Sequence, residues 1–103
     1  MFNYPLVMEK THSLKLIEGQ FTPSQTRNVL LDLISHKIRY HNLEALSIQE
    51  RFNGDISYSE KRIAELKQIS ILVEEIVRFA SEEGLNLKIE SFIQIELIKS
   101  STP

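Results

Sequence analysis

From about Ser59 to Glu83 the chain carries two apolar stripes on one helical period, and no other feature restricts the fold as much. Ile63, Leu66, Ser70, Val73, Val77 and Ala80 recur at alternating spacings of three and four residues. Ile69, Leu72, Ile76 and Phe79 repeat the rhythm beside them. Together the stripes span about half of the helix circumference, where a surface helix needs only a stripe of roughly 100°. Such a helix must touch more than one neighbour. Gly84 follows it as a C′ residue, where a left-handed backbone ends a helix without a Cβ clash.

One neighbour comes earlier in the chain. Thr22 is placed to cap a helix, Pro23 suits its first position, and Gln25 completes a capping box. The helix is expected from Pro23 to about Leu46. Leu30, Ile34, Ile38, His41 and Ala45 share its apolar face, with Leu33 and Lys37 on the flank. Asp32, Ser35, His36 and Arg39 fall on the other side. Ser47 to Ser57 breaks the pattern around the turn signal Asn53-Gly54-Asp55. A link this long is unusual between paired helices, so Phe52, Ile56 or Tyr58 is expected to pack back onto the domain.

Strand patterns flank the helices. Leu14 to Phe21 reads as a strand with Leu14 and Leu16 on one side and a bend or bulge at Gly19. Leu85, Leu87, Ile89, Ile93, Ile95 and Leu97 alternate with Asn86, Lys88, Glu90, Gln94 and Glu96, a half-buried antiparallel strand bent near Ser91 and Phe92. Phe2 to Met8 alternates weakly, and Pro5 restricts it to a sheet edge; residues 1–12 are an edge strand or a loose arm, and 99–103 a frayed tail. The fold class is therefore α+β in β-α-α-β order. A long antiparallel helical hairpin is expected to pack on a small antiparallel sheet of two or three strands. At 103 residues the chain reads as one domain.

Composition then removes several functions. There is no cysteine, so disulfide frameworks and thiolate zinc sites are excluded, which suits a reducing compartment. The net charge of −2 lacks the basic excess that displaces counterions from phosphates and argues against nucleic acid as a partner. MFNYPLVMEKTH has no signal-peptide pattern, and no run approaches the roughly 18 apolar residues that span a bilayer. A cytoplasmic protein is expected, with no membrane partner.

Candidate chemistry is thin. His36 and His41 lie five residues apart, about 140° around a helix, and cannot readily share a metal as histidines four apart do. His41 shares a face with Glu44 but also sits in the apolar stripe, so it reads as a buried or boundary histidine. Arg27, Lys37, Arg39, Lys61, Arg62 and Lys67 form basic segments, with Glu65, Glu74, Glu75, Glu82 and Glu83 near enough to pair with them. Glu74 and Glu75 diverge by about 100° and make no acid–base dyad. Asn53-Gly54-Asp55 lacks EF-hand spacing, and three glycines leave little room for phosphate loops. No catalytic residue, cofactor or metal is expected.

The segments LIEGQFTPSQ, SHKIRYHNLE, QERFNGD and KRIAELKQ, with the closing strand, resemble a group of small uncharacterised bacterial proteins. The resemblance covers the chain from Leu14 onward and implies strand–helix–helix–strand order; it implies no activity.

These readings favour a non-enzymatic assembly or protein-interaction module acting as a homo-oligomer, with itself or an unidentified protein as partner. Its candidate interface is Ile69, Leu72, Ile76, Phe79, Ile93 and Ile95. Two alternatives stay open: an antitoxin-like regulator contacting nucleic acid or a protein, and an enzyme with His41 or His36 at a subunit interface. Whether the second stripe is core or interface stays open as well.

Overall fold

A computed structural model describes residues 8–100. Its elements run β1 (Thr11–Phe21), α1 (Pro23–Phe52), α2 (Ser57–Glu83) and β2 (Leu87–Glu96), with the two strands paired as an antiparallel two-stranded sheet. The class is α+β, as the sequence patterning requires. The edge strand expected from Phe2 to Met8 lies outside the described residues except for Met8, and the tail beyond Ser100 lies outside them too. The chain forms two compact units, the hairpin over 21–87 and the ribbon made of the strands.

The hairpin starts as the capping pattern demands. Thr22 Oγ1 accepts the Gln25 N–H at 3.1 Å, and Gln25 Oε1 accepts the Thr22 N–H at 3.0 Å. The first helix runs six residues beyond the expected Leu46. The stretch Ser47–Arg51 loses its apolar rhythm but contains good helix formers, so backbone propensity carries it on. It stops where Asn53 turns left-handed (φ 47) and its N–H reaches the Gln49 carbonyl at 3.1 Å. The link therefore shrinks to Asn53–Ile56, short enough for an antiparallel hairpin. Asp55 Oδ1 accepts the Ser57 N–H at 2.9 Å just ahead of the second helix, whose N-cap position, Ile56, offers no side-chain cap. At its far end Gly84 (φ 68) closes a Schellman motif, with the Leu85 N–H on the Ala80 carbonyl at 2.8 Å.

The expected contact faces meet inside the hairpin. Ile34, Leu66, Val73 and Val77 form its buried cluster, with Leu30, Leu31 and Ile38 packed against it. Ala45 and Ala80 are buried as well. Arg27 bonds Glu74 through Nε (3.3 Å) and Nη2 (3.1 Å), which ties the start of α1 to the latter part of α2. Ile56 is half-buried, and Tyr58, although 73% exposed, sets its ring edge-on to His41 of α1. Tyr58 falls in the first turn of α2, beside the buried Ser59.

In the ribbon, the Leu97 N–H donates to the Lys10 carbonyl at 2.8 Å, and Lys15 Nζ lies 5.6 Å from the Phe92 ring centroid. Both contacts belong to one antiparallel register, in which each step along β1 is a step back along β2. The first strand begins at Thr11, three residues earlier than its apolar pattern suggested, because His12 and Ser13 pair with β2 without contributing apolar side chains. Gly19, where a bend or bulge was expected, takes φ 149 within a strand that runs on to Phe21. β2 runs from Leu87 to Glu96 without a break at Ser91 and Phe92. No residue of either strand is fully buried.

Candidate functional site

A buried group of polar side chains in the hairpin surrounds Glu44. His41, four residues before Ala45 on the buried face, is 6% exposed, and its Nδ1 lies 3.4 Å from Glu44 Oε1. Ser59 extends the first stripe of α2 backward by one heptad from Leu66 and is 2% exposed. Its Oγ donates to the same Glu44 oxygen at 2.9 Å. The Ser59 hydroxyl above all, and then His41, hold the Glu44 carboxyl below its ordinary 4.5. The Tyr40 and Tyr58 rings stand edge-on to the His41 ring, with centroids 5.3 and 6.3 Å away.

This order of partners has a chemical consequence. In a nucleophilic triad the histidine lies between hydroxyl and carboxylate, so that it can take the hydroxyl proton. Here Glu44 occupies the middle, and the hydroxyl spends its proton on the carboxylate. The cluster couples α1 to α2 through a charge-assisted hydrogen bond. His36 is exposed while His41 is buried, so the two histidines lie on different sides of α1, as their spacing requires. Among the described residues no group of three or more histidines, aspartates or glutamates is placed to hold a metal ion.

Two residues of the basic segments, Arg27 and Arg62, meet acids the sequence offered. Besides Arg27 with Glu74, Arg62 Nη1 meets Glu65 Oε2 at 2.8 Å and Lys15 meets Glu18 at 2.9 Å. Lys37 Nζ lies 5.3 Å from the centroid of the Tyr40 ring. These contacts make Arg27, Arg62, Lys15 and Lys37 parts of mixed, solvated faces.

The residues expected at an interface are open to solvent. On α2, Ile69, Leu72, Ile76 and Phe79 are 41%, 54%, 47% and 60% exposed, and Ile71 adds to the same side. A shallow hollow there is lined by Gln68, Ile69, Ile71, Leu72 and Glu75. On β2, Ile93 and Ile95 are 40% and 41% exposed, and Leu14 and Leu16 of β1 are exposed also. The hairpin thus uses the first α2 stripe for its own core and leaves the second uncovered.

Two buried polar positions were not singled out from the sequence. Ser59 and Thr26 are both almost fully buried, and Thr26 Oγ1 has no hydrogen-bond partner among the described residues. The available signal was positional. Thr26 lies four residues before Leu30, and Ser59 seven before Leu66, so each continues an apolar stripe by one step. No helix among the described residues is long and apolar enough to cross a membrane. Comparison with family models, with curated proteins and with solved structures finds no match to this chain.

Proposed function

We propose that this chain is a non-enzymatic assembly or protein-interaction module that acts as a homo-oligomer in a bacterial cytoplasm. The observation that carries the reading is the second stripe of α2. Four large apolar side chains at heptad spacing stand about half exposed on a helix whose other stripe is already used. Contiguous apolar surface of this kind marks interaction sites in soluble proteins. The ribbon supports the same reading. Its strands carry exposed leucines and isoleucines, and a lone two-stranded sheet is marginal in water. A second copy of the chain is the simplest partner, because a twofold axis covers the same surface on both copies at once. The Glu44 cluster contributes by holding the hairpin together, which keeps the outer stripe of α2 on a rigid element.

Light scattering on the full chain at micromolar concentration tests the proposal. A mass of at least twice the chain's 12.0 kDa is expected. A particle with the mass of one chain refutes it.

A further inference from the structure

We infer that two copies of this chain join edge to edge through β2, antiparallel about a twofold axis at Phe92, to make one four-stranded sheet. The inference rests on the homo-oligomer reading and specifies the surface and the register.

The open edge follows from the hydrogen bonding already described. Leu97 turns its backbone N–H toward β1, and backbone direction alternates along a strand. Ile95, Ile93, Ser91 and Ile89 therefore face β1 with their backbone groups. Lys88, Glu90, Phe92, Gln94 and Glu96 present theirs to the outer edge, where β2 has no strand partner among the described residues. Natural edges are guarded by proline, bulges or charged side chains. The β2 span LKIESFIQIE contains no proline and no glycine, whereas β1 carries the positive-φ Gly19. The more regular edge is that of β2, and its guards are the charges of Lys88, Glu90 and Glu96, which a second copy in the right register can pair.

A second β2 selects the register by its side chains. With the axis at Phe92, Lys88 stands opposite Glu96 of the second copy, and the pair occurs twice. Glu90 stands opposite Gln94, and Phe92 opposite its own counterpart. On the other face Ile89 meets Ile95 and Leu87 meets Leu97. Cross-strand charge pairs and aromatic pairs each favour such a ladder. Moving the axis by one residue to Ile93 places Glu90 opposite Glu96, a repulsion that also occurs twice. Moving it to Ser91 loses both Lys88–Glu96 pairs.

The charges involved are free to re-pair. Lys88 lies 3.4 Å from Glu90 and Glu96 lies 3.6 Å from Lys10, with all four side chains substantially exposed. Contacts of that kind contribute little, so exchanging them costs little. In return each ribbon becomes half of a four-stranded sheet, which exceeds the three strands needed for independent stability.

Three variants of the full chain test the register, read by light scattering and circular dichroism. Phe92→Cys creates the only thiol in a chain without cysteine. It is expected to form a disulfide-linked dimer under mild oxidation, since Cα atoms of a hydrogen-bonded antiparallel pair lie about 5.5 Å apart. Gln94→Pro removes an N–H that faces the open edge and not β1; it is expected to give a monomer with its helical signal intact. Lys88→Glu is expected to weaken the dimer about tenfold, as both symmetric pairs turn from attraction to repulsion. Combining it with Glu96→Lys restores the dimer. If Gln94→Pro loses its helical signal, the cysteine variant and the charge swap decide. A dimer that persists in Gln94→Pro, with no cross-linking at Phe92→Cys, overturns the edge pairing and leaves the homo-oligomer reading standing. A single-chain mass for the unmodified protein overturns both.

Discussion

Replacing Leu66 by alanine removes the centre of the hairpin core. Leu66 is 5% exposed and belongs to the buried cluster with Ile34, Val73 and Val77. Leucine-to-alanine changes at such sites cost about 2–5 kcal/mol, from lost transfer free energy and from the cavity left behind. The lower half of that range applies if Leu30 and Ile38, which are only partly buried, close into the space; about 3 kcal/mol is expected. Against a total stability of roughly 5–15 kcal/mol for a domain, that is a large share. Leu66→Asp adds an unpaired charge among aliphatic groups and leaves the chain unfolded. Urea titration followed by far-ultraviolet circular dichroism measures the difference, at one fixed protein concentration because association also stabilises. Glu75→Ala and Arg78→Ala, both on the exposed side of α2, serve as controls and shift stability by no more than about 0.5 kcal/mol. If Leu66→Ala unfolds at the same urea concentration as the unmodified protein, the assignment of the first stripe to the core is wrong.

Thr26→Val replaces a buried hydroxyl that lacks a partner with a methyl group of similar size. It is expected to be neutral or stabilising by up to about 1 kcal/mol; a clear loss in the same titration would mean that the hydroxyl is satisfied. Glu44 and Asp55 are both held below their ordinary carboxylate values, Glu44 chiefly by the Ser59 hydroxyl and Asp55 chiefly by the Ser57 hydroxyl. A lowered folded-state value adds stability above the unfolded value and loses it as pH falls through the folded one. The acid side of the stability profile, below about pH 4.5, should therefore flatten in Glu44→Gln and Asp55→Asn, and an unchanged acid limb in unfolding curves taken across that range counts against these contacts. Protein purified without a histidine tag should contain no stoichiometric zinc, iron or nickel by elemental analysis; one equivalent, lost in His41→Ala, would overturn the structural reading of that histidine.

Several features were legible because their cause is local. Thr22, Pro23 and Gln25 encode a helix start through bonds that span three residues, and Gly84 encodes a stop through one backbone angle. The stripes through Ile34 and Leu66 follow from helical geometry alone, as does the separation of His36 from His41. The end of the first helix was harder to read. From Ser47 to Arg51 the apolar rhythm fades while helix propensity persists, and the turn signal at Asn53 marked the true boundary.

What the sequence by itself determined, then, is the order of elements, their class, and which face of each helix is apolar. Periodicity is a property of neighbours along the chain and needs no partner to be seen. Only the tertiary structure decided which apolar surface is used inside the hairpin. The first stripe of α2 includes Ser70 and Ala80 whereas the second is made of large apolar residues alone, so hydrophobicity does not select the first. The short link after Asn53, together with the Arg27–Glu74 and Ser59–Glu44 contacts, turns Leu66, Val73 and Val77 toward α1. Ile69, Leu72, Ile76 and Phe79 are left outward by that choice, because one helix can cover only one stripe of another.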